Sequence, residues 1–231
     1  MSRIITDEEG AAFVFENEWD TAIPFSFTDT PEDGLVITVF PEVRPVAEEF
    51  LARFAAHPTS AAAFSFLFAE LSPYMSKWGY QDDRFRDRWG YILRCDTPPS
   101  PVENVGNLSP NILKEVDEKR NRTTYDLRET CRAGCVGYGI AENGKIVSLA
   151  VTHDAPPDTG IVEVGVETIP AARHRGYASA CLRALTHDLC ARGLTVEYRC
   201  GKHNAASRRT ALAASFRQVG RYYYYIGRRV R

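Results

Sequence analysis

The strongest candidate for chemistry in this sequence is the turn at residues 173–178, which reads Arg-His-Arg-Gly-Tyr-Ala and stands between a predicted strand and a predicted helix. A helix N-terminus presents unpaired backbone N–H groups and the positive end of the helix dipole, so it attracts anions. Gly176 allows the main chain to approach a ligand closely. Ala178 has a small side chain, so it leaves space for a ligand beside the first helical turn. The pattern predicts a site for a diphosphate group; the alternative is an ordinary turn that glycine merely eases. Neither the Walker pattern nor G-x-G-x-x-G is present.

Two carboxylates lie on one face of the strand predicted at residues 161–168. Side chains alternate along a strand, which places Glu163 and Glu167 together and the valines on the opposite face. Burying two carboxylates is costly without a partner or a purpose. We therefore predict Glu163 as the leading proton acceptor and Glu167 as the second, with pairing to an arginine such as Arg199, or exposure to solvent, as the alternative. His153 is a further candidate base.

The charge of the chain is strongly divided along its length. The protein has 231 residues and a formal net charge of −2, but residues 171–231 contain 13 Lys and Arg against 2 Asp and Glu, and the first 170 contain 15 against 28. Such asymmetry predicts an anionic ligand for the C-terminal part. A small phosphorylated molecule fits better than nucleic acid, because the tyrosines at 222–225 form one run and do not alternate with basic residues.

Composition narrows the class of protein further. With 44% hydrophobic and 25% charged residues, the chain is typical of a globular protein, and it has no uninterrupted apolar stretch of about 18 residues that would cross a membrane. Six cysteines are spread over more than a hundred residues without a C-x-x-C pair. We expect reduced thiols, no metal site, no membrane association and a cytoplasmic location.

Periodicity and turn signals predict the elements that position these residues. Strands are predicted at 35–40, 135–140, 145–153, 161–168 and 194–200, and helices at 46–56, 60–75, 113–119, 124–132 and 179–192. A proline-rich linker is predicted at 95–110. The first hairpin after it turns at Asn143-Gly144, which supplies the positive φ angles of a tight turn. Another helix opens at Asn204, and the tyrosine run is typical of a half-buried terminal strand.

These motifs, in this order, resemble the GNAT superfamily of CoA-dependent N-acetyltransferases from about residue 107 to residue 227. The superfamily signature Q/R-x-x-G-x-G/A is met by Arg173, Gly176 and Ala178. The segments G-K-I-V-S-L-A, V-G-V-E-T, G-L-T-V-E-Y-R-C and N-A-A-S resemble more narrowly the branch of zwittermicin-resistance-type acetyltransferases. The first hundred residues are matched much less securely.

The resemblance implies acetyl-CoA as cosubstrate and a set of residues that hold it. The backbone of Val164, Val166 and Thr168 would pair with the pantetheine amides as if the cofactor were a strand. The implied diphosphate and pantetheine contacts come from two further segments: Arg173, Arg175, Gly176, Tyr177 and Ala178 at the turn, and Asn204, Ser207 and Arg208 or Arg209 at the next helix.

The implied reaction is attack of a neutral amine on the acetyl thioester. A proton must leave the ammonium group, usually to a carboxylate directly or through water. Many relatives have a tyrosine seven residues beyond the asparagine as proton donor to the thiolate, but here that position is Ala211, and the usual Gly-Phe is Ser215-Phe216. Tyr198 is the substitute we favour; Tyr222, Tyr223, Cys200 and water remain alternatives.

We therefore predict an α/β protein with a mixed sheet. Residues 1–100 form a mostly helical accessory region that shapes the acceptor site, and residues 101–231 form a GNAT-like acetyltransferase domain. The expected function is transfer of acetyl to a primary amine of a small molecule; the alternative is a non-catalytic acyl-CoA sensor or binding module. No nucleic-acid partner is expected, and the sequence leaves open whether the chain forms a homodimer.

Overall fold

The chain forms two compact units that both combine helices with strands. The computed structural model describes residues 2–16, 20–82, 89–108 and 134–230. One unit is Met1–Tyr91 with Val219–Arg231, and the other is Ile92–Gln218. The mixed α/β class predicted from the sequence is confirmed. The sequence analysis placed a single boundary at residue 100, whereas these units divide after Tyr91 and again after Gln218.

In its described residues, the first unit contains a mixed sheet of five strands with three α-helices. Its elements are β1 Arg3–Thr6, α1 Glu8–Glu16, β2 Thr21–Thr30, β3 Gly34–Val39, α2 Arg44–Phe54, α3 Ala61–Lys77, β4 Tyr80–Asp82 and most of β11 Arg217–Arg229. The sheet order is β1-β3-β2-β11, with β4 pairing to β11 as well. Strands β1 and β3 run parallel, and the other pairs run antiparallel.

Strands accompany the helices within residues 1–100, where the sequence predicted mainly helices. Several strands were not predicted from the sequence, and the longest of them is β2, whose interior contains Pro24. Proline weakens a strand signal because it cannot donate to the ladder. The structure accommodates it with a β-bulge, since Tyr225 pairs with Phe25 but Gly227 pairs with Ala22.

The core of the first unit explains why the last residues of the chain belong to it. Tyr223 and Tyr225 are buried in the same apolar cluster as Phe25 and Phe27. The Phe27 and Tyr223 rings stack with centroids 4.7 Å apart. Alternate burial along the tyrosine run confirms the predicted half-buried strand.

The second unit contains the predicted strand, turn and helix. Strand β5 Trp89–Cys95 leads the chain into it, followed by β6 Gly106–Asn107, β7 Gly137–Glu142, β8 Lys145–Thr152, β9 Ile161–Thr168, α4 Tyr177–Ala191, β10 Thr195–Gly201 and α5 Ala205–Ala213. The sheet order is β10-β9-β8-β7-β6. Strands β9 and β10 run parallel, and the other pairs run antiparallel.

Local sequence signals account for these elements. Asn143 and Gly144 have φ angles of 52° and 73°, which confirms the predicted tight turn between β7 and β8. Helix α4 packs its predicted apolar face into the core, and Gly193, at φ 84°, follows its C-terminus. The helices predicted at 113–119 and 124–132 lie outside the described residues.

Candidate functional site

The predicted anion-binding turn leads from the end of β9 to the start of α4. His174 and Gly176 both adopt the left-handed conformation, with φ angles of 64° and 80°. Gly176 is the N-cap of α4, and the first bond within the helix runs from the Ala180 N–H to the Gly176 carbonyl at 3.0 Å. The N–H groups of the first turn therefore have no acceptor within the helix, which is the condition for binding an anion there.

Side-chain contacts hold this turn at both ends. At its start, Arg173 Nε donates to the Thr168 carbonyl at 3.2 Å. At its end, Arg175 Nη1 and the Tyr177 hydroxyl donate to the Glu142 carboxylate at 3.1 Å and 2.6 Å. The hydrogen bond with Tyr177 and the charge of Glu142 raise the pKa of Arg175, so its guanidinium stays charged. Sequence analysis did not identify Glu142, because it lies more than 30 residues before its partners.

Strand β9 has a neighbour on the β10 side only along its first half. Strand β10 pairs with it from Ile161 to Val164, where the partner of Val164 is Tyr198. Strand β8 pairs with it from Val164 to Thr168. Beyond Val164, the edge of β9 that faced β10 is therefore open within this ladder.

The backbone hydrogen bonds show which peptide groups lie at the open edge. The Glu163 carbonyl accepts from the His153 N–H at 2.9 Å, and the Ile169 N–H donates to the Val147 carbonyl at 3.0 Å. Odd-numbered residues of β9 thus direct their peptide groups toward β8, and even-numbered ones direct them to the other side. Val166 and Thr168 are the residues whose peptide groups face the open edge, while Val164 is already opposite Tyr198.

A cavity of about 580 Å³ lies against this edge and the turn. Most of the predicted site residues line it: Val166, Glu167, Thr168, Arg173, Gly176, Tyr177, Ala178, Tyr198, Asn204 and Ser207. Arg209, the alternative to Arg208, lines it as well, and the lining residues that were not predicted are Ala172, His174, Ser179, Ala206, Thr210 and Ala213. Four predicted residues lie outside the lining: Glu163, Val164, Arg175 and Arg208.

The wall opposite the turn is formed by β10 and the start of α5. The Tyr198 hydroxyl and Ser207 Oγ lie 2.7 Å apart. Asn204 caps α5, because its side-chain oxygen accepts from the Ser207 N–H at 3.0 Å. Tyr198 is buried, and Ala211, at the position where relatives have tyrosine, is buried completely. Tyr198 lines the cavity, whereas Ala211 does not.

The other groups considered as proton donors, Cys200, Tyr222 and Tyr223, are not among the residues that line the cavity. Burial raises the pKa of the Cys200 thiol, although the charge of Arg208 and a hydrogen bond with Ser207 oppose this. Tyr222 and Tyr223 belong to the first unit. Of the two arginines considered for the cofactor phosphates, Arg209 lines the cavity, whereas Arg208 Nη2 donates to Gln218 at 2.8 Å.

Glu163 takes part in a network of charged side chains across three strands. Its carboxylate lies 3.4 Å from His153 Nδ1 and 3.5 Å from Arg199 Nε. Arg199 also contacts Glu197 at 2.7 Å, and Glu197 pairs with the buried Arg94 at 2.9 Å. The pairing with Arg199 that the sequence left as an alternative is thus present in the structure.

The same network sets the protonation of Glu163. Burial on its own would raise the pKa of this carboxyl, but the hydrogen bond from His153 and the charges of Arg199 and His153 bring the pKa below its usual range. Glu163 is therefore an anion at neutral pH. Its role as a base stays a prediction.

The second unit combines a mixed sheet and helices with a cavity beside a helix N-terminus. Residues 110–225, about half of the chain, match the family model of GNAT acetyltransferases. The chain belongs to the GNAT acetyltransferase family, and at the level of that family it is an N-acetyltransferase. The narrower zwittermicin-type resemblance stays a prediction.

Solved structures of several bacterial proteins are similar to this chain. A GNAT-family protein from Novosphingobium aromaticivorans DSM 12444 is 21% identical with a TM-score of 0.49, over 66% of this chain and 69% of that one. A GNAT-like protein from Streptococcus suis 89/1591 is 20% identical with a TM-score of 0.46, over 70% and 68%. A GNAT-family acetyltransferase from Colwellia psychrerythraea is 13% identical with a TM-score of 0.49, over 88% and 81%. At such values the likeness says nothing about the substrate.

No curated protein matches the chain. Among the residues that the structure describes, no helix is long and apolar enough to cross a bilayer. The described ranges also contain no cluster of three or more side chains suited to binding a metal ion.

Proposed function

We propose that this protein transfers an acetyl group from acetyl-CoA to a primary amine of a small molecule. The observation that carries the proposal is the combination, in one cavity, of an open strand edge with the N-terminus of a helix. A ligand with amides at one end and a diphosphate at the other matches both features at once.

The described residues fit acetyl-CoA along its length. The N–H groups of residues 175–178 would hold the diphosphate, and the Val166 peptide groups and the Thr168 N–H would pair with the pantetheine arm. Four residues of strand span about 13 Å between Thr168 and Val164. The acetyl thioester, which supplies the acyl group, would then lie near Val164 and Tyr198, where β10 begins to pair with β9.

Tyr198 is the proposed proton donor to the departing thiolate. Its hydroxyl faces the cavity next to Ser207, which holds it by a 2.7 Å hydrogen bond. A buried hydroxyl with a fixed partner keeps one orientation, so little reorganisation is needed when it donates.

Glu163 is the proposed base, because it neighbours Val164 at the point where the two strands separate. Its network keeps it ionised, so it can accept the proton from the amine directly or through water. Glu167 lines the cavity at the end near the turn, which suits it less for the reacting amine. Glu163→Gln and Glu167→Gln variants separate the two roles by turnover.

A non-catalytic acyl-CoA sensor is the second candidate function. The observation that favours it is the completely buried Ala211 in place of the tyrosine of many relatives. In an enzyme, Glu163→Gln abolishes most turnover and preserves cofactor affinity, whereas a sensor has no turnover to lose.

The test has two stages. Isothermal titration with acetyl-CoA should show binding by the folded protein, and absence of binding would exclude both candidate functions. Release of free CoA thiol is then followed across a panel of amines, antibiotics and peptide N-termini, with acceptor-free controls. One robust acceptor establishes the enzyme, and binding without any acceptor-dependent release supports the sensor.

We also propose that the protein works in the cytoplasm. The cysteines at 95, 135, 181, 190 and 200 are free thiols, as is usual in a reducing compartment.

A further inference from the structure

We propose that Glu142 is a positioning residue for cofactor binding: it fixes the diphosphate-binding turn from the side that faces away from the cavity. This inference rests on the proposed function. It assigns a role to a residue outside the signature sequence and outside the cavity.

The contacts of Glu142 join the hairpin to the turn. Glu142 is the last residue of β7, directly before the tight turn at Asn143. Arg175 Nη1 lies 3.1 Å and 3.3 Å from its two carboxylate oxygens, and the Tyr177 hydroxyl lies 2.6 Å from one of them. One carboxylate therefore holds two of the four residues whose N–H groups are proposed to bind the diphosphate.

The direction of these side chains places the contact behind the turn. Tyr177 lines the cavity, but Glu142 and Arg175 do not. The Arg175 guanidinium thus extends toward the hairpin, and only its backbone N–H would contribute to the proposed site. Because Arg175 balances the charge of Glu142, the contact brings no uncompensated negative charge near the anion site.

The backbone of the turn needs such support. His174 and Gly176 both have left-handed φ angles, and for a histidine this conformation is unfavourable unless the surroundings hold it. Arg173 holds the start of the turn through the Thr168 carbonyl, and Glu142 holds its end. A turn held in the binding conformation before the ligand arrives loses less entropy on binding, so the affinity is higher.

The inference is tested with two ligands and a matched control. The ligands are acetyl-CoA and S-acetylpantetheine, which lacks the diphosphate. The control is Asp188→Ala, which removes another carboxylate of the second unit that pairs with an arginine, Arg192, and also interacts with a tyrosine, Tyr138. Affinities are measured by titration calorimetry for acetyl-CoA and by ligand-observed NMR for S-acetylpantetheine.

We expect Glu142→Ala to weaken acetyl-CoA binding about fivefold, the upper range for a partly exposed ion pair, and to leave S-acetylpantetheine unchanged. Glu142→Gln can still accept a hydrogen bond from the Tyr177 hydroxyl, so its loss of acetyl-CoA affinity should be smaller. This variant replaces Glu142→Ala in the test if the alanine variant does not fold. Asp188→Ala should change neither affinity.

Three results would overturn the inference: unchanged acetyl-CoA binding in both Glu142 variants, an equal loss for both ligands, or tighter binding. Tighter binding would mean that Glu142 competes with the diphosphate for Arg175. If the unmodified protein does not bind acetyl-CoA, the proposed function fails instead, so the two failures are distinguishable.

Discussion

Strand β2 of the first unit and strand β9 of the second differ in how much of their two edges is paired with neighbouring strands. From Phe25 to Asp29, β2 pairs with β3 on one side and β11 on the other. In β9 only Val164 has a partner on both sides. A strand paired on both sides satisfies its peptide groups internally and contributes to stability, whereas a half-paired strand leaves peptide groups available to a ligand.

The surroundings of the two strands match this difference. Next to β2 the buried residues are mainly aromatic and aliphatic, among them Phe27, Phe50 and Tyr223. Next to the open half of β9 are a hydroxyl pair and a helix N-terminus. The predictions below each change one group in the second unit and compare it with a matched group that lacks contact with the cavity.

The largest effect on acetyl-CoA affinity is expected from Gly176→Ala, compared with Gly193→Ala. Both glycines flank α4 with φ angles of 80° and 84°, and an added Cβ would meet nothing within 4 Å at either. Each substitution should therefore cost about 1 kcal/mol of stability from backbone strain alone. Only Gly176→Ala places a methyl group at the anion site and shifts the turn, so it should weaken acetyl-CoA binding at least about tenfold, a cost of about 1.4 kcal/mol.

Thermal unfolding and calorimetric titration of both variants check this expectation. Equal losses of affinity would mean that strain in α4, and not the site at its N-terminus, controls binding.

The next effect concerns turnover. Tyr198→Phe removes the hydroxyl proposed as proton donor, and we expect turnover to fall about a hundredfold, as is usual when an acid catalyst is lost, with unchanged acetyl-CoA affinity. Tyr223→Phe removes a hydroxyl from an equally buried tyrosine of the first unit and should leave turnover unchanged. Thiol-release kinetics with the acceptor found in the panel measure both. Full activity of Tyr198→Phe would show that water protonates the thiolate.

The sequence predicted the site best where the determining signals are local. It located β9 from the alternation of side chains, the turn at Asn143 from the Asn-Gly pair, and the start of α5 from the asparagine that caps it. Each of these signals acts within a few residues. The same local signals missed β2, where Pro24 interrupts the strand and only pairing with β11 restores it. Glu142 was missed for a related reason, since its partners are brought to it by the fold.

The pairing state of Glu163 shows the same limit. Alternation along β9 placed its carboxylate on the predicted face, but the network with Arg199, Glu197 and Arg94 depends on two other strands. A sequence can propose an arginine partner without deciding whether the sheet brings it within reach. Three-dimensional pairing therefore decides how strongly Glu163 holds a proton.

A smaller effect distinguishes two helix caps. Ser60 Oγ accepts from the Ala63 N–H at 3.2 Å in the first unit, and Asn204 accepts from Ser207 in the second. Substitution of either residue by alanine should cost about 1 kcal/mol of stability. Only Asn204→Ala should also weaken acetyl-CoA binding, a few-fold, because Asn204 lines the cavity and orients Ser207. If Ser60→Ala weakened binding as much, global stability would explain the loss.

The smallest effect is the contribution of Glu163 to stability as pH changes. Its pKa is below the ordinary value of 4.5 because the hydrogen bond from His153 and the charges of Arg199 and His153 outweigh burial. A depressed pKa stabilises the folded state above the ordinary pKa, and this stabilisation is lost as pH falls through the lower, folded value. Because about a third of the side chain is exposed, we expect Glu163→Gln to cost less than about 1 kcal/mol at pH 7.

The cost of Glu163→Gln should shrink as the pH is lowered below about 4.5. Urea unfolding at several pH values measures it, and the double variant with Arg199→Gln shows how much of the cost belongs to this pair. A cost that stays constant down to the most acidic pH would mean that packing, and not charge, holds Glu163 in place. Glu163, which lies where β9 and β10 separate, would then stabilise the fold through packing, as the buried residues around β2 do.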